Sequence, residues 1–431
     1  MNHHDDEIVP GRPRWTRVLP WIGPAPALTR RQWRVLGLLA TAELFDHYDL
    51  GILTLALLQI QAGLGVAEHE VGALVGIVRL GAIGALLAGV MADRFGRRRL
   101  LLGTVLGFTG CTFATAFVQT AEQFAIVQFA TRACLYAETS LAVVVLAEEL
   151  QAKDRGWGIG VLGALGALGH GVAALLFAFV EVLPFGWRAL YVLGALPLLA
   201  VAWLRRGLPE TRRFEDARDR RVAGARAGLR PVLALLRMYP GRLALLLAAL
   251  VPFEFVSIVG ITFMTKTLQE EHGWAPGGVT TLFVVGGALA IVGNIAAGLW
   301  SDRFGRRPTA SLLVALYGAA CFGFYQGNAW LVAPFWIGVI FASQGAGMLF
   351  KALASELFPT SYRSTASVVR ATVGTAAGSL GLWLESQLYT LAGSHAAAIT
   401  WMLPVLILPI LLSLRLPETA LLELEQIAPE R

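Results

Sequence analysis

Three carboxylates fall within seven residues of an otherwise apolar stretch, Glu43-Leu-Phe-Asp46-His47-Tyr48-Asp49. Other ionisable groups stand singly in further apolar stretches: Arg79, Arg132, His170 and Glu254. An ionisable side chain at the centre of a membrane helix costs about 2.5 to 3.5 kcal/mol on insertion scales, so such groups mark ion paths, proton relays or ligand contacts. Asp46 and Asp49 lie within about 60° of each other on a helix and can face one cavity, whereas Asp46 and His47 diverge by about 100°. Two arginines against three acids satisfy each other only in part, which makes Asp46, Asp49 and Glu254 candidate proton-coupling residues. Arg79 and Arg132 can receive a carboxylate bidentately. His47, Tyr48, Glu138, His170 and Gln344 are further candidate substrate contacts. A static ion-pair network tying helices together is the alternative reading of the same residues.

The elements that must position these groups are membrane helices. Of 431 residues, 56% are hydrophobic and only 15% are charged, a balance that excludes an ordinary soluble domain. Twelve apolar runs reach about 20 residues, the length that crosses roughly 30 Å of hydrocarbon. They span 34–60, 71–92, 99–118, 122–148, 157–181, 187–204, 243–268, 278–301, 308–326, 329–356, 364–390 and 396–414. Loops after even-numbered runs hold Arg94, Arg97, Arg98, Arg99, Lys153, Arg155, Arg303, Arg306, Arg307 and Arg363; those after odd-numbered runs hold almost none. Both termini are therefore expected in the cytoplasm, with Arg188 and Lys266 as outer-side exceptions. The net charge of +6 is a topology signal, and no nucleic-acid partner is expected. Residues 1–33 form a basic cytoplasmic arm without a cleavable signal, 34–204 and 243–414 two six-helix bundles, 205–242 an Arg-rich linker, and 415–431 a tail. Within the linker, Pro231 to Met238 forms an amphipathic stretch suited to the inner surface. Cys111, Cys134 and Cys321 lie inside apolar runs without metal-ligand spacing and read as packing residues.

The chain is a duplication. Gly89-Val-Met-Ala-Asp93-Arg94-Phe-Gly96-Arg97-Arg98 returns as Gly298-Leu-Trp-Ser-Asp302-Arg303-Phe-Gly305-Arg306-Arg307, 209 residues on. Leu-Pro-Glu-Thr at 208–211 recurs at 416–419, the pair Glu148 and Arg155 recurs as Glu356 and Arg363, and Phe45-Asp46 falls on Phe253-Glu254, all at a shift of 208. Parallel repeats of six helices, related by an axis along the membrane normal, are one transporter architecture. The repeated loops place an acid and several arginines at cytoplasmic helix ends, where Asp93 can pair with Arg97 or Arg98 in contacts that break when halves rock. Topology anchoring alone requires the arginines but neither the glycines nor the aspartates.

These residues together resemble the major facilitator superfamily. Both decapeptides match its loop signature, and Glu356-Leu-Phe-Pro-Thr with Arg363 and the Pro-Glu-Thr tails resemble the half-ends of its sugar and organic-acid porters. Asp46-His47-Tyr48-Asp49 resembles the Asp-Gly-aromatic-Asp of aromatic-acid:proton symporters, departing from it at His47. Tyr48-Asp49 and Arg132 are also similar to the acid and helix 4 arginine of proton-coupled sugar porters, with Tyr136 and Glu138 where small residues are expected. The resemblance implies an all-α, twelve-helix secondary transporter of the plasma (inner) membrane. It would act by alternating access as a monomer, taking up an organic acid with protons. A sugar or polyol symporter and a drug-efflux antiporter are the alternatives, with a non-transporting receptor behind them.

The fifth run carries no proline, whereas drug antiporters of the superfamily place a Gly-Pro pair there; this favours uptake. Gly160, Gly163, Gly166 and Gly169 recur on it every three residues as a close-approach face. Gly158-Ile-Gly160-Val-Leu-Gly163 matches a dinucleotide-binding pattern but follows no strand. Lys351 and Arg370 add positive charge on the cytoplasmic side, and Glu385 is expected to snorkel near the outer end. No phosphate-binding loop, metal-ligand spacing or soluble catalytic domain appears, so neither an enzyme, a cofactor nor a metal is expected.

Overall fold

The computed structural model describes residues 26–84, 97–151, 154–205 and 230–420. Among them regular structure is helical, in sixteen α-helices joined by short 3-10 and π turns. Each of the twelve apolar runs carries helix, the second only as far as residue 84. Ala121–Leu146, Trp157–Phe177, Pro240–Glu270, Arg306–Gln326, Ala329–Glu356 and His395–Ser413 are long and apolar enough to cross a bilayer. The helices holding Asp46 and Glu385 are also long but carry ionisable groups, so the chemistry dilutes the hydropathy of the elements that bear it.

Contacts divide the chain into two compact units. The first holds α1 (Arg30–Leu55), α4 (Arg97–Thr115), α5 (Ala121–Glu149), α6 (Arg155–Phe177) and α7 (Trp187–Arg205). Here α1 packs on α6 and α7, and α4 on α5 and α7. Close approach at the α1–α6 seam depends on two glycines. A side chain at Gly169 would lie 2.0 Å from the Leu44 carbonyl oxygen, and one at Gly166 would lie 2.8 Å from the His47 ring, while Gly160 and Gly163 face open space. A three-residue repeat turns by about 60° per step, so four such glycines wind halfway round a helix and cannot share one face. The close-approach face is thus confined to the C-terminal pair.

The second unit gathers residues 56–80 with everything from 228 onward. It holds α2 (Leu57–Leu64), α3 (Val71–Leu80), α8 (Arg230–Met238), α9 (Pro240–Glu270), α10 (Pro276–Thr281), α11 (Gly287–Phe304) and α12 (Arg306–Gln326). It continues with α13 (Val332–Glu356), α14 (Thr360–Ala392), α15 (His395–Met402) and α16 (Ile407–Ser413). The repeat read from sequence divides at 205–242; the packing unit takes in the start of the second apolar run as well. Small residues explain the seam: Gly72 and Gly76 of α3 lie against Leu382 and Ser379 of α14, and the Ala73 amide donates to Ser386 Oγ at 2.8 Å. Near the expected amphipathic stretch, α8 buries Leu235 and exposes Leu233, Leu236 and Met238.

Candidate functional site

In the first unit the acidic face of α1 lies against polar positions of α4 and α5. Arg132 Nη1 meets Asp49 Oδ2 at 3.0 Å, with both side chains at most 2% exposed. Thr112 Oγ1 of α4 donates to Asp49 Oδ1 at 3.3 Å, and Thr139 Oγ1 of α5 donates to Asp46 Oδ2 at 3.3 Å. Arg132 and Thr139 are seven apart, two turns on one face, matching the three-residue spacing of the two aspartates in reversed order. Both carboxylates therefore point to one side of α1, and each is buried against a hydroxyl donor.

His47 turns the other way, as its 100° offset requires. Its ring stands edge to face with His170 of α6, centroids 5.2 Å apart, and its Nδ1 lies 3.0 Å from the Glu43 carbonyl oxygen. Tyr48, a candidate substrate contact, packs towards α7. It is buried, its ring lies on Gly194 of α7, and its hydroxyl donates to the Leu190 carbonyl at 2.8 Å. Glu138 is buried on α5, and Gln344 is exposed on α13.

Arg79 and Glu254 belong to the second unit. Glu254 of α9 lies against Gly374 of α14, its Cγ 3.3 Å from where a side chain there would begin. It is within electrostatic reach of Arg79, Arg370 and Lys351, and the Arg79 Nε is buried without a hydrogen-bond partner. The expected set of two arginines and three acids therefore divides, Arg132 with Asp49 and Arg79 with Glu254. Lys351 and Arg370, expected to add positive charge on the cytoplasmic side, join Arg79 within electrostatic reach of Glu254. Among the described residues the cations of this group outnumber its acid three to one.

The first repeated loop, with Gly89, Asp93, Arg94 and Gly96, lies outside the described residues, as do the side chains of Arg97, Arg98, Glu148 and Arg155. The second is described. Arg306 pairs with Asp302 at 2.8 Å, the interval expected for Asp93 with Arg97. It also grips Glu356 with Nε and Nη2 at 3.4 and 3.2 Å, and Thr419 Oγ1 donates to the same carboxylate at 2.6 Å. Glu356 is therefore held by Arg306 instead of Arg363, which donates to the Phe358 carbonyl at 3.3 Å. Glu418 accepts from the backbone amides of Arg306 and Arg307 at 2.7 and 3.3 Å. Three marks of the repeat, loop, Glu356 and Pro-Glu-Thr tail, meet in one cluster. Gly298 and Arg303 border it without joining; Arg303 lies over Phe304.

Sequence reading missed two charge clusters. Arg31 binds Glu149 bidentately at 2.8 and 3.2 Å, next to the Glu148 that the repeat had singled out. Glu68, Lys266, Glu270, Glu385 and His395 form the other, which corrects Glu385: it is fully buried on His395 instead of snorkelling. The sign that could have found it was an excess of His and Glu at the ends of otherwise apolar runs.

A sequence profile of the Major Facilitator Superfamily matches residues 39–382 and again 255–428. The 4-hydroxybenzoate transporter PcaK of Pseudomonas putida is 26% identical, the alignment covering 87% of this chain and 90% of that protein. The gallate transporter of Pseudomonas putida is 28% identical over 88% of this chain and 93% of its own length. The crystal structure of a D-xylose-proton symporter superposes with a TM-score of 0.72 at 17% identity, covering 90% of this chain and 98% of that one. The fold expected from the repeats and the transporter class are both met, and these relatives are transporters, not enzymes.

Proposed function

The chain belongs to the Major Facilitator Superfamily, and we propose that it takes up a small organic anion together with protons, by alternating access. The observation that carries this reading is the split of the ionisable residues between two dissimilar sites. In one, Arg132 already holds a carboxylate, that of Asp49. In the other, Arg79, Lys351 and Arg370 lie within electrostatic reach of one acid among the described residues, Glu254. The first suits a proton: protonating Asp49 neutralises it and releases Arg132, a local change able to bias two conformations. The second suits a carboxylate ligand, because three cations beside one acid gain more from an anion than from a neutral solute. Relatives that carry 4-hydroxybenzoate and gallate, both carboxylates, support the anion.

The transporter acts as a monomer in the plasma (inner) membrane with both termini in the cytoplasm, the side the arginine-rich loops favour. Asp46, Asp49 and Glu254 exchange protons. Arg79, Lys351 and Arg370 receive the substrate carboxylate, and Arg132 reports the proton. The two six-helix halves, 34–204 and 243–414, rock about the ligand, and the loops around Asp93 and Asp302 act as cytoplasmic latches.

A thermal-shift series on the purified protein tests the anion reading, since a ligand that binds only the native state raises its melting temperature. 4-Hydroxybenzoate and gallate are expected to stabilise the protein, and D-xylose and tetraphenylphosphonium are not. Arg370→Gln should abolish the shift while melting as the parent does without ligand. Stabilisation by xylose or the cation, with none from either carboxylate, overturns the assignment.

A further inference from the structure

A second cluster of charge, part buried and part exposed, sits at the opposite ends of these helices from the Asp302 loop, in the turn after α2 and at the facing ends of α9, α14 and α15. All its members belong to one compact unit. His395 is its centre. The imidazole is stacked on Phe263 of α9, at 4.3 Å and 22°, and meets the tilted ring of Tyr389 of α14, at 4.5 Å and 42°. Its Nδ1 lies 2.6 Å from Glu385 Oε1 and its Nε2 lies 3.0 Å from Glu68 Oε2. Glu68 in turn receives Lys266 Nζ at 2.8 Å and Gln61 Nε2 at 2.6 Å, and Lys266 reaches Glu270 as well.

This arrangement counts protons. A neutral imidazole has one donor and one acceptor nitrogen, so with both carboxylates ionised one of its two contacts would set a lone pair against a negative oxygen. The observed geometry is satisfied by an imidazolium, or by one protonated carboxylate; either state holds one proton more than the neutral ring with two carboxylates. The stacked Phe263 ring favours the cation. The surrounding charges agree. Glu68, Glu270, Glu271 and Glu385 face the ring or its partners, against Lys266 as the lysine beside them, with His272, Tyr325 and Tyr389 at the margin. Glu68 itself shows the strength of its partners: burial opposes its charge, yet Lys266, Gln61 and His395 hold its carboxyl below the usual glutamate range.

The cluster also joins parts that the repeat separates. Glu68 lies between the first and second apolar runs, whereas Lys266, Glu385 and His395 lie in the seventh, eleventh and twelfth. We propose that Glu68, His395 and Glu385 form a proton-dependent latch, which holds the first outer turn of the chain against the second repeat when a proton is bound. The proposal rests on the alternating-access reading above for its consequence, because releasing such a latch frees the outer ends of the two repeats. Its sign follows from linkage: the latched state binds the extra proton, so acid outside the membrane closes it and a rise in pH opens it.

Hydrogen exchange tests the latch without a substrate, so its failure is distinct from failure of the anion assignment. The reporter is the turn at 61–70, whose Gly65, Val66 and Glu70 amides are hydrogen-bonded within it. Comparing the parent with His395→Gln at one pH removes the intrinsic chemistry of exchange. In mild acid the parent is expected to exchange the turn roughly tenfold more slowly than His395→Gln, and the two should converge as the pH is raised. Glu68→Ala, which removes the carboxylate altogether, should behave as His395→Gln does and provides the test if that variant folds poorly. Equal protection at the lower pH, or a difference that persists unchanged at the higher one, overturns the proposal.

Discussion

Arg132 and Asp49 form an ion pair at 3.0 Å inside a helix assembly, each with almost no exposed surface. Removing one partner of a buried pair leaves the other charge without compensation and costs about 3 to 5 kcal/mol, more than the pair itself contributes. In the proposed mechanism a proton arriving at Asp49 imposes that same imbalance and so biases the conformation. Thr112 on α4 shares the carboxylate, and three helices therefore register the change.

Asp49→Asn mimics the protonated state permanently. Uptake of 4-hydroxybenzoate driven by an imposed pH gradient in proteoliposomes should fall to the level of passive leak, while exchange of internal for external substrate continues. The melting temperature should drop with the loss of the pair, and Asp49→Asn combined with Arg132→Gln should recover much of it. Accumulation at the parent level would remove Asp49 from the coupling role.

Gly169→Ala introduces a methyl group 2.0 Å from the Leu44 carbonyl oxygen. Backbone cannot give way as a side chain does, so overpacking here is expected to cost about 1 to 3 kcal/mol. Gly160→Ala meets open space and should be neutral or slightly stabilising through helix propensity. Thermal unfolding of the two variants side by side checks this; equal melting temperatures would mean that the α1–α6 seam is not close-packed.

Tyr48→Phe removes one hydrogen bond, to the Leu190 carbonyl. A loss of about 1 kcal/mol in stability is expected, with substrate affinity unchanged, because the hydroxyl points at α7. A large rise in KM with no change in stability would restore Tyr48 to the binding site.

The extent to which sequence reports this molecule depends on the element. Twelve runs of apolar residues specify twelve membrane segments because hydrocarbon thickness sets one length for all of them, and among the described residues the structure follows eleven of them to within a few residues and the second as far as residue 84. Partners are harder. The repeat suggested Glu356 with Arg363, since they recur together, but a seven-residue spacing at a helix end does not decide which arginine arrives from another helix, and Arg306 does. Arg31 with Glu149 was illegible for the opposite reason: at a shift of 208 these positions become Tyr239 and Leu357, so the pair leaves no trace in the duplication. The division of Arg79 from Arg132 was illegible as well, because helix contacts, not charge counts, decide which acid each arginine meets.

Glu418 yields a pH-dependent prediction at the second repeated loop. Its carboxylate sits at the N-terminus of α12, where unpaired backbone amides favour an anion. Burial works against the charge, but the amides of Ala420, Arg306, Arg307 and Thr419 outweigh it and hold the carboxyl below the usual glutamate range. Gly305 makes the approach possible: with φ at +98° it adopts a backbone that other residues resist, and a side chain there would lie 2.5 Å from Glu418 Oε2. A carboxyl with a lowered value in the folded state stabilises the fold above its unfolded value, about 4.3 for glutamate, and loses that contribution as pH falls through the folded value. The melting temperature of Glu418→Gln should accordingly lie below that of the parent at neutral pH and approach it in acid below about pH 4. Gly305→Ala should lower the melting temperature at every pH, because its clash and backbone strain do not titrate. A deficit in Glu418→Gln that stays constant into acid would show that shape rather than charge docks the tail.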